Sequence, residues 1–246
     1  MHTPKPLALA SLLLAGALAV GCDPGDAAAP TAGSATPRPT ATTSPNGVER
    51  LSAAEIFQRA ERAALSASSM RMRGHVVEEG EKAELNFRYS GGRAAMGDVT
   101  VRGDMQVNLT RIGSTLYLKG NDEFWREAGG PSAVNLLSGK YFKTSTKDKD
   151  LAELISFTDP AKMFDDLLKP EGELTKGATA RINGRAAIGL EDGSGGTLYV
   201  ATEGDPHVLR LDAGPDVLID FSGHEEPVTI GPPPAGQVID TDELEG

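Results

Sequence analysis

The sequence predicts an α+β protein: a mainly antiparallel, curled sheet of about eleven strands with helices covering its inner face. Three observations predict it. Apolar residues alternating with polar ones recur in short runs, about ten residues from one run to the next. Glycine-rich turns rather than helices separate these runs, which favours an antiparallel meander over βαβ units. Helical periodicity is confined to one stretch before the first strand and one in mid-chain. So many strands do not form a flat sheet with bare faces, so the sheet must curl and be covered.

The chain opens with Lys5 and a mostly apolar run, Leu7–Val20, of 14 residues. A membrane-spanning helix needs about 20, whereas a signal-peptide core is of this length. The run ends at Ala19-Val20-Gly21-Cys22, which resembles the bacterial lipobox and places a signal peptide over 1–21. By that resemblance Cys22 carries a thioether-linked diacylglycerol and often an N-acyl chain. Two chains suffice for stable anchoring where one does not. The expected location is therefore outside the cell interior, lipid-anchored to the outer face of the cytoplasmic membrane. A secretory signal that ends on a cysteine by coincidence is the plainer alternative. Of residues 23–47, 21 of 25 are Ala, Pro, Thr, Gly or Ser, a composition that cannot bury enough apolar area to fold. Residues 22–47 thus read as the lipidated cysteine and a disordered tether, and 48–246 as one folded domain.

Within that domain Ser52 and Glu55 form a capping box, flanked by the staple pair Leu51 and Ile56. Ile56, Ala60, Ala63 and Ala67 give the helix a narrow face of mostly small residues that can lie close against a sheet. From Met70 the period becomes two. Ala83, Leu85, Phe87 and Tyr89 alternate with charged and amide residues, Met105, Val107 and Leu109 do the same, and Leu116 and Leu118 flank Tyr117. Ser90-Gly91-Gly92, Gly103-Asp104 and Gly113-Ser114 are the turns. The meander is expected to break between about Pro131 and Lys169. A helix over Lys147–Phe157 presents Leu151, Leu154 and Ile155, and Asp159-Pro160 starts another bearing Met163, Phe164, Leu167 and Leu168. Asn183-Gly184 is the strongest hairpin signal. Strands follow near 197–202, 207–213 and 216–222, with a last one near Val228–Ile230 before three prolines, and a frayed acidic tail from Asp240.

Composition excludes several functions. A formal net charge of −11 argues against nucleic acid and against a polybasic dock on anionic lipid. One cysteine rules out an internal disulfide and a zinc site needing two thiolates. His75, His207 and His224 follow the leader, none within HExxH, and neither a GxSxG elbow nor a phosphate loop occurs. No cofactor, metal or catalytic residue is expected. Asp165-Asp166 and the pair Asp148 and Asp150 are of the kind found on exposed helix faces, without EF-hand spacing.

The order of elements, the lipobox and the tether resemble the LppX/LprG-type lipoproteins of actinobacteria and, more distantly, the LolA/LolB lipoprotein carriers. Local patterns that carry the resemblance are Thr115-Leu116-Tyr117-Leu118-Lys119 followed by Phe124-Trp125, and Asp220-Phe221-Ser222 leading to Glu226-Pro227-Val228-Thr229-Ile230. The resemblance implies a strongly curved half-barrel whose helices close its mouth, and an activity of holding acyl chains or a lipidated molecule. Candidate lining residues are Leu85, Phe87, Tyr89, Met105, Val107, Leu109, Leu116 and Leu118 from strands and Met163, Phe164 and Leu167 from the helix. The same residues would form an ordinary core, and periodicity does not separate the two. The expected partners are a lipid or acylated molecule and, through Cys22, the membrane; a monomer is expected. The alternatives are an envelope interaction module with a filled core and, further off, a hydrolase.

Overall fold

A computed structural model describes residues 44–168, 170 and 172–240. The leader, Cys22, the tether up to residue 43 and the acidic residues 241–246 lie outside the described residues. Of the segment read as tether, residues 44–47 are described and sit on the domain. Pro45 bridges Glu203, Gly204 N–H donates to Ser44 O at 3.0 Å, and the Asn46 amide donates to Ala201 O and Gly204 O.

Helix α1 (Ala53–Ser66) begins at the expected capping box, Ser52 accepting from Glu55 N–H and Glu55 from Ser52 N–H. Its buried face is Ala53, Ile56, Ala60 and Ala64. Ala64 replaces the expected Ala63 because the sheet lies slightly further round the helix. Five strands then run as a meander: β1 (Ser69–Glu78), β2 (Glu81–Ser90), β3 (Ala94–Val101), β4 (Met105–Ile112) and β5 (Thr115–Gly120). The first turn is Glu79-Gly80, with φ of 52° and 83°, the left-handed pair that a two-residue hairpin matching strand twist requires. Asn183-Gly184 repeats it, with 50° and 83°.

The mid-chain insertion begins earlier than expected. Helix α2 (Asp122–Leu137) starts at Asn121, whose side chain accepts from Phe124 N–H at 3.0 Å, and it breaks at Gly129-Gly130 just before Pro131. Strand β6 (Tyr141–Ser145) follows, then α3 (Ala152–Ser156) and α4 (Pro160–Leu167). The five-residue α3 is half the expected Lys147–Phe157 helix. Asp148 accepts from Thr144 Oγ1 and from Asp150 N–H, a local turn that withdraws this backbone from the helix. Asp159 caps α4 as its sequence indicated.

The chain returns through β7 (Thr175–Ile182), β8 (Arg185–Glu191), β9 (Thr197–Ala201), β10 (Val208–Asp212) and β11 (Val217–Ser222). No strand forms at Val228–Ile230. That segment is irregular, preceded by Pro227 and followed by the prolines, and the last strand is instead β12 (Val238–Asp240), parallel to β6. Asp240, expected in a frayed tail, lies in β12 and forms an ion pair with Lys143. One sheet of 12 strands results, in the order β12-β6-β5-β4-β3-β2-β1-β11-β10-β9-β8-β7. It is the expected α+β half-barrel: mostly antiparallel, curved and not closed. Pairing of β1 with β11 joins the two meanders, with Met72 opposite Phe221, Gly74 opposite Ile219 and Val76 opposite Val217. Helix α1 lies over β7, β9 and β10 and meets α4, while α2 covers β4 and β5. Gly97 keeps the centre of the sheet tight: a Cβ there would stand 2.4 Å from the Phe87 ring.

Candidate lipid-binding trough

The inward face carries the residues that alternation assigned to it. Across β1, β2 and β3 the inward rows are Met70–Tyr89–Ala95, Met72–Phe87–Gly97, Gly74–Leu85–Val99 and Val76–Ala83–Val101. Side-chain size falls along these rows, from tyrosine and phenylalanine at one end to valine and alanine at the hairpin end.

The large end is solid. Leu85, Phe87, Tyr89, Leu109, Leu116, Leu118 and Met163 are at most 1% exposed, and Val107 and Phe164 are also buried in the same cluster. Phe87 stacks on Tyr89 and on Phe157, with centroids 6.2 and 6.1 Å apart. The Tyr89 hydroxyl donates to Phe157 O at 2.7 Å, which ties β2 to the end of α3. Burial, with the Asp159 charge behind it, pushes the Tyr89 phenol far above its ordinary pKa, so it remains a donor. Asp159 is held by Arg111 at 3.2 Å.

The small end is open. A cleft of about 550 Å³ has Val76, Ala83, Val99 and Val101 as its floor and Leu154 and Phe157 as its far wall, with Glu78, Glu79, Glu81 and Glu153 around it. On the other side of the Val76–Val217 pair lies a second cleft of about 240 Å³. Val217, Leu211, Leu198 and Leu190 line it from the sheet, Phe57, Leu167 and Leu168 from the helices, and Asp166 and Asp192 are also at its walls. Because Val76 and Val217 are direct cross-strand neighbours, the two clefts lie side by side at one end of the sheet. Together they are termed the trough, its larger part on β1, β2 and β3 and its smaller part on β11, β10, β9 and β8.

Of the eleven candidates, Leu167 lines the smaller of these clefts. Tyr89 borders a third, of about 280 Å³, between the C-terminal end of α1 and the start of α4, and Leu109 a fourth beside Asn86 and Arg88. Met105 is half-buried opposite Val101, next to the larger cleft. Leu85, Phe87, Val107, Leu116, Leu118, Met163 and Phe164 line none of these four spaces. Of the trough residues, Ala83 was read as part of the alternating face but not as lining, and Val76, Val99, Val101, Val217 and Phe157 were not read as lining either. The available signal was a step down in side-chain size within a run of constant parity.

The walls are apolar and acidic. Among the described residues that line the larger cleft none is a lysine, arginine or histidine, and Glu81 is paired with Arg102 at 3.3 Å. Among the described residues no group of three His, Cys, Asp or Glu side chains is arranged to hold a metal ion. Away from the trough, His207 and His224 stack face to face with ring centroids 4.1 Å apart, where the turn before β10 meets the loop after β11. His207 Nδ1 and both His224 ring nitrogens are buried without a partner. His75 Nε2 lies 3.1 Å from Pro215 O at the opposite edge of β1. Ser194 closes the glycine-rich turn through Asp192, its N–H and hydroxyl both reaching Oδ1, as a hairpin turn would.

No family model matches the chain, and no curated protein matches it. Among solved structures it is similar to LprF from Mycobacterium bovis, at 18% identity and a TM-score of 0.44, over 74% of this chain and 96% of that one. It is also similar to MucB, at 15% identity and a TM-score of 0.32, over 79% of this chain and 63% of that one. Among the described residues no helix is long and apolar enough to cross a membrane.

Proposed function

We propose that this chain is a membrane-tethered lipoprotein that binds acyl chains in the trough, for carriage or transfer across the cell envelope. The observation that supports this reading best is the apolar floor left open at the Val76–Ala83–Val101 end of the sheet. Its volume of about 550 Å³ falls within the range of small-molecule sites, roughly 300–1,000 Å³. Affinity would come from burial alone. Each methylene removed from water contributes about 0.8 kcal/mol, so some ten of them give about 8 kcal/mol before the cost of immobilising the chain. Entry requires a movable wall, and α3 is suited to be one. With five residues it has little helical stability of its own and stands on Ile155 and its half-buried neighbours. The Cys22 diacylglycerol would hold the domain at the outer face of the cytoplasmic membrane, with the tether setting its reach.

Native mass spectrometry of the full chain, made in cells with Cys22→Ser to remove the anchor, should show co-purified lipid. Ala83→Phe places a ring on the trough floor and should cut that loading several-fold, while the melting temperature stays within a few degrees. A clean apo mass after gentle handling, in both forms, would count against the reading. The solid packing around Phe87 and Leu118 favours a second reading, an envelope interaction module without a lipid ligand. That reading expects a partner recovered by crosslinking as efficiently from Ala83→Phe as from the natural chain.

A further inference from the structure

We propose that the trough selects amphiphiles with a cationic head, an aliphatic chain lying on its valine floor and an amine or guanidinium group meeting the carboxylates at its mouth. The proposal rests on the acyl-binding reading above and adds the charge of the ligand to it.

The charges of the larger cleft gather at the hairpin end of the sheet. Glu78 and Glu79 end β1 and begin its hairpin turn, Glu81 opens β2, and Glu153 projects from the first turn of α3 across the gap. Four elements of local structure thus bring four carboxylates to the boundary of one apolar space. The hairpin turn fixes two of them, because Glu79 takes the left-handed φ of 52° that the two-residue connection demands. Asp166, from the last turn of α4, continues the acidic edge beside the second cleft. Among the described residues the larger cleft has no basic lining residue to offset these groups, and Arg102 nearby is engaged with Glu81.

An amphiphile lying in this space must place its head where the floor ends, because the floor is apolar and the interior beyond it is filled by Leu85 and Phe87. A phosphate, sulfate or carboxylate head would meet Glu78, Glu79 and Glu153 there with no counter-charge, and like charges at contact distance raise the cost of binding. An ammonium or guanidinium head finds the reverse: charge-assisted hydrogen bonds to carboxylates that already stand in place. The carboxylates are exposed, so each contact is worth little alone and is screened by salt. Selection comes from several acting on one head group.

The test uses the full chain with Cys22→Ser and the neutral fluorophore N-phenyl-1-naphthylamine as reporter of the apolar site. Dodecylamine, dodecyl maltoside and laurate, all below their critical micelle concentrations, compete for it at neutral pH and low salt. The expected result is an order of displacement with dodecylamine first and laurate last, separated by about tenfold or more. The separation should shrink several-fold at high salt and in the triple variant Glu78→Gln, Glu79→Gln, Glu153→Gln. These are exposed positions whose substitution leaves the core untouched. Glu153→Lys alone should improve laurate. Equal displacement by all three amphiphiles, or a preference for laurate, would overturn the cationic assignment while leaving acyl binding standing. Binding of the fluorophore that no amphiphile reverses, but that a lysine-rich amphipathic peptide or self-association does, would overturn it in favour of a protein occupant. Absence of fluorophore binding, with Ala83→Phe indistinguishable from the natural chain, would remove the acyl-binding reading itself.

Discussion

Tyr89 shows how one side chain serves both the core and the wall of the trough. Its ring fills the large end of the sheet, and its hydroxyl satisfies the carbonyl of Phe157, whose own ring lines the open end. Tyr89→Phe leaves that half-buried carbonyl without its donor and should cost about 1 kcal/mol, read as a lower midpoint in urea unfolding at unchanged slope. An unchanged midpoint would mean that water replaces the bond. The His207–His224 pair sets a pH dependence. Burial is the main cause lowering both, and His224, which also faces His207, is held down to about 3. The charged groups acting on the pair are Asp205, Glu225 and Arg185. An unfolded histidine titrates near 6.5. Above that pH neither state binds the proton and nothing is lost. Below it the unfolded chain takes up protons the native pair refuses, so stability falls from about pH 6.5 towards pH 3. Melting temperature should therefore drop between pH 7.5 and 5, and His224→Phe, which keeps a ring in the stack, should flatten the drop. Equal melting temperatures at the two pH values in the natural chain would contradict the burial of neutral imidazoles.

Among the elements, α1 illustrates how local signals and tertiary packing cooperate. The capping box at Ser52 was readable because both partners are three residues apart, and the structure contains both of its hydrogen bonds. Ser52→Ala should cost about 1 kcal/mol, a fall of several degrees at most in thermal unfolding, with no change in lipid loading. A larger loss would mean that the cap also fixes the turn entering from residues 44–47. Asp159-Pro160 was legible for the same reason, since a cap is a matter of adjacent residues. What eluded local reading were the elements whose identity depends on distant chain. Strand β12 exists because β6 offers it an edge, whereas the expected strand at Val228–Ile230 lies between Pro227 and Pro232 and pairs with no strand. Helix α3 is short because Asp148 closes a turn on Thr144, a competition between two local structures that hydrophobic periodicity does not register.

For the whole molecule, the sheet's two meanders meet at β1 and β11, and this junction sets the two clefts side by side. Val76 and Val217, far apart in sequence, become neighbours, one lining each cleft. Ala83 stands one strand from that pair, so the ring introduced by Ala83→Phe obstructs the larger cleft where it approaches the smaller.

By itself the sequence determined which residues alternate, where the capped helices α1 and α4 begin and which side chains face inward, because these follow from dihedral geometry and neighbours within a few positions. The parity that put Ala83, Leu85, Phe87 and Tyr89 on one face holds along all of β2. Tertiary structure alone decided where along that face the interior is full and where it is empty. Occupancy depends on the summed volumes of side chains from seven strands and three helices, most of them remote in the chain. Phenylalanine and leucine meet across the sheet at one end, valine and alanine at the other, and only the second leaves room.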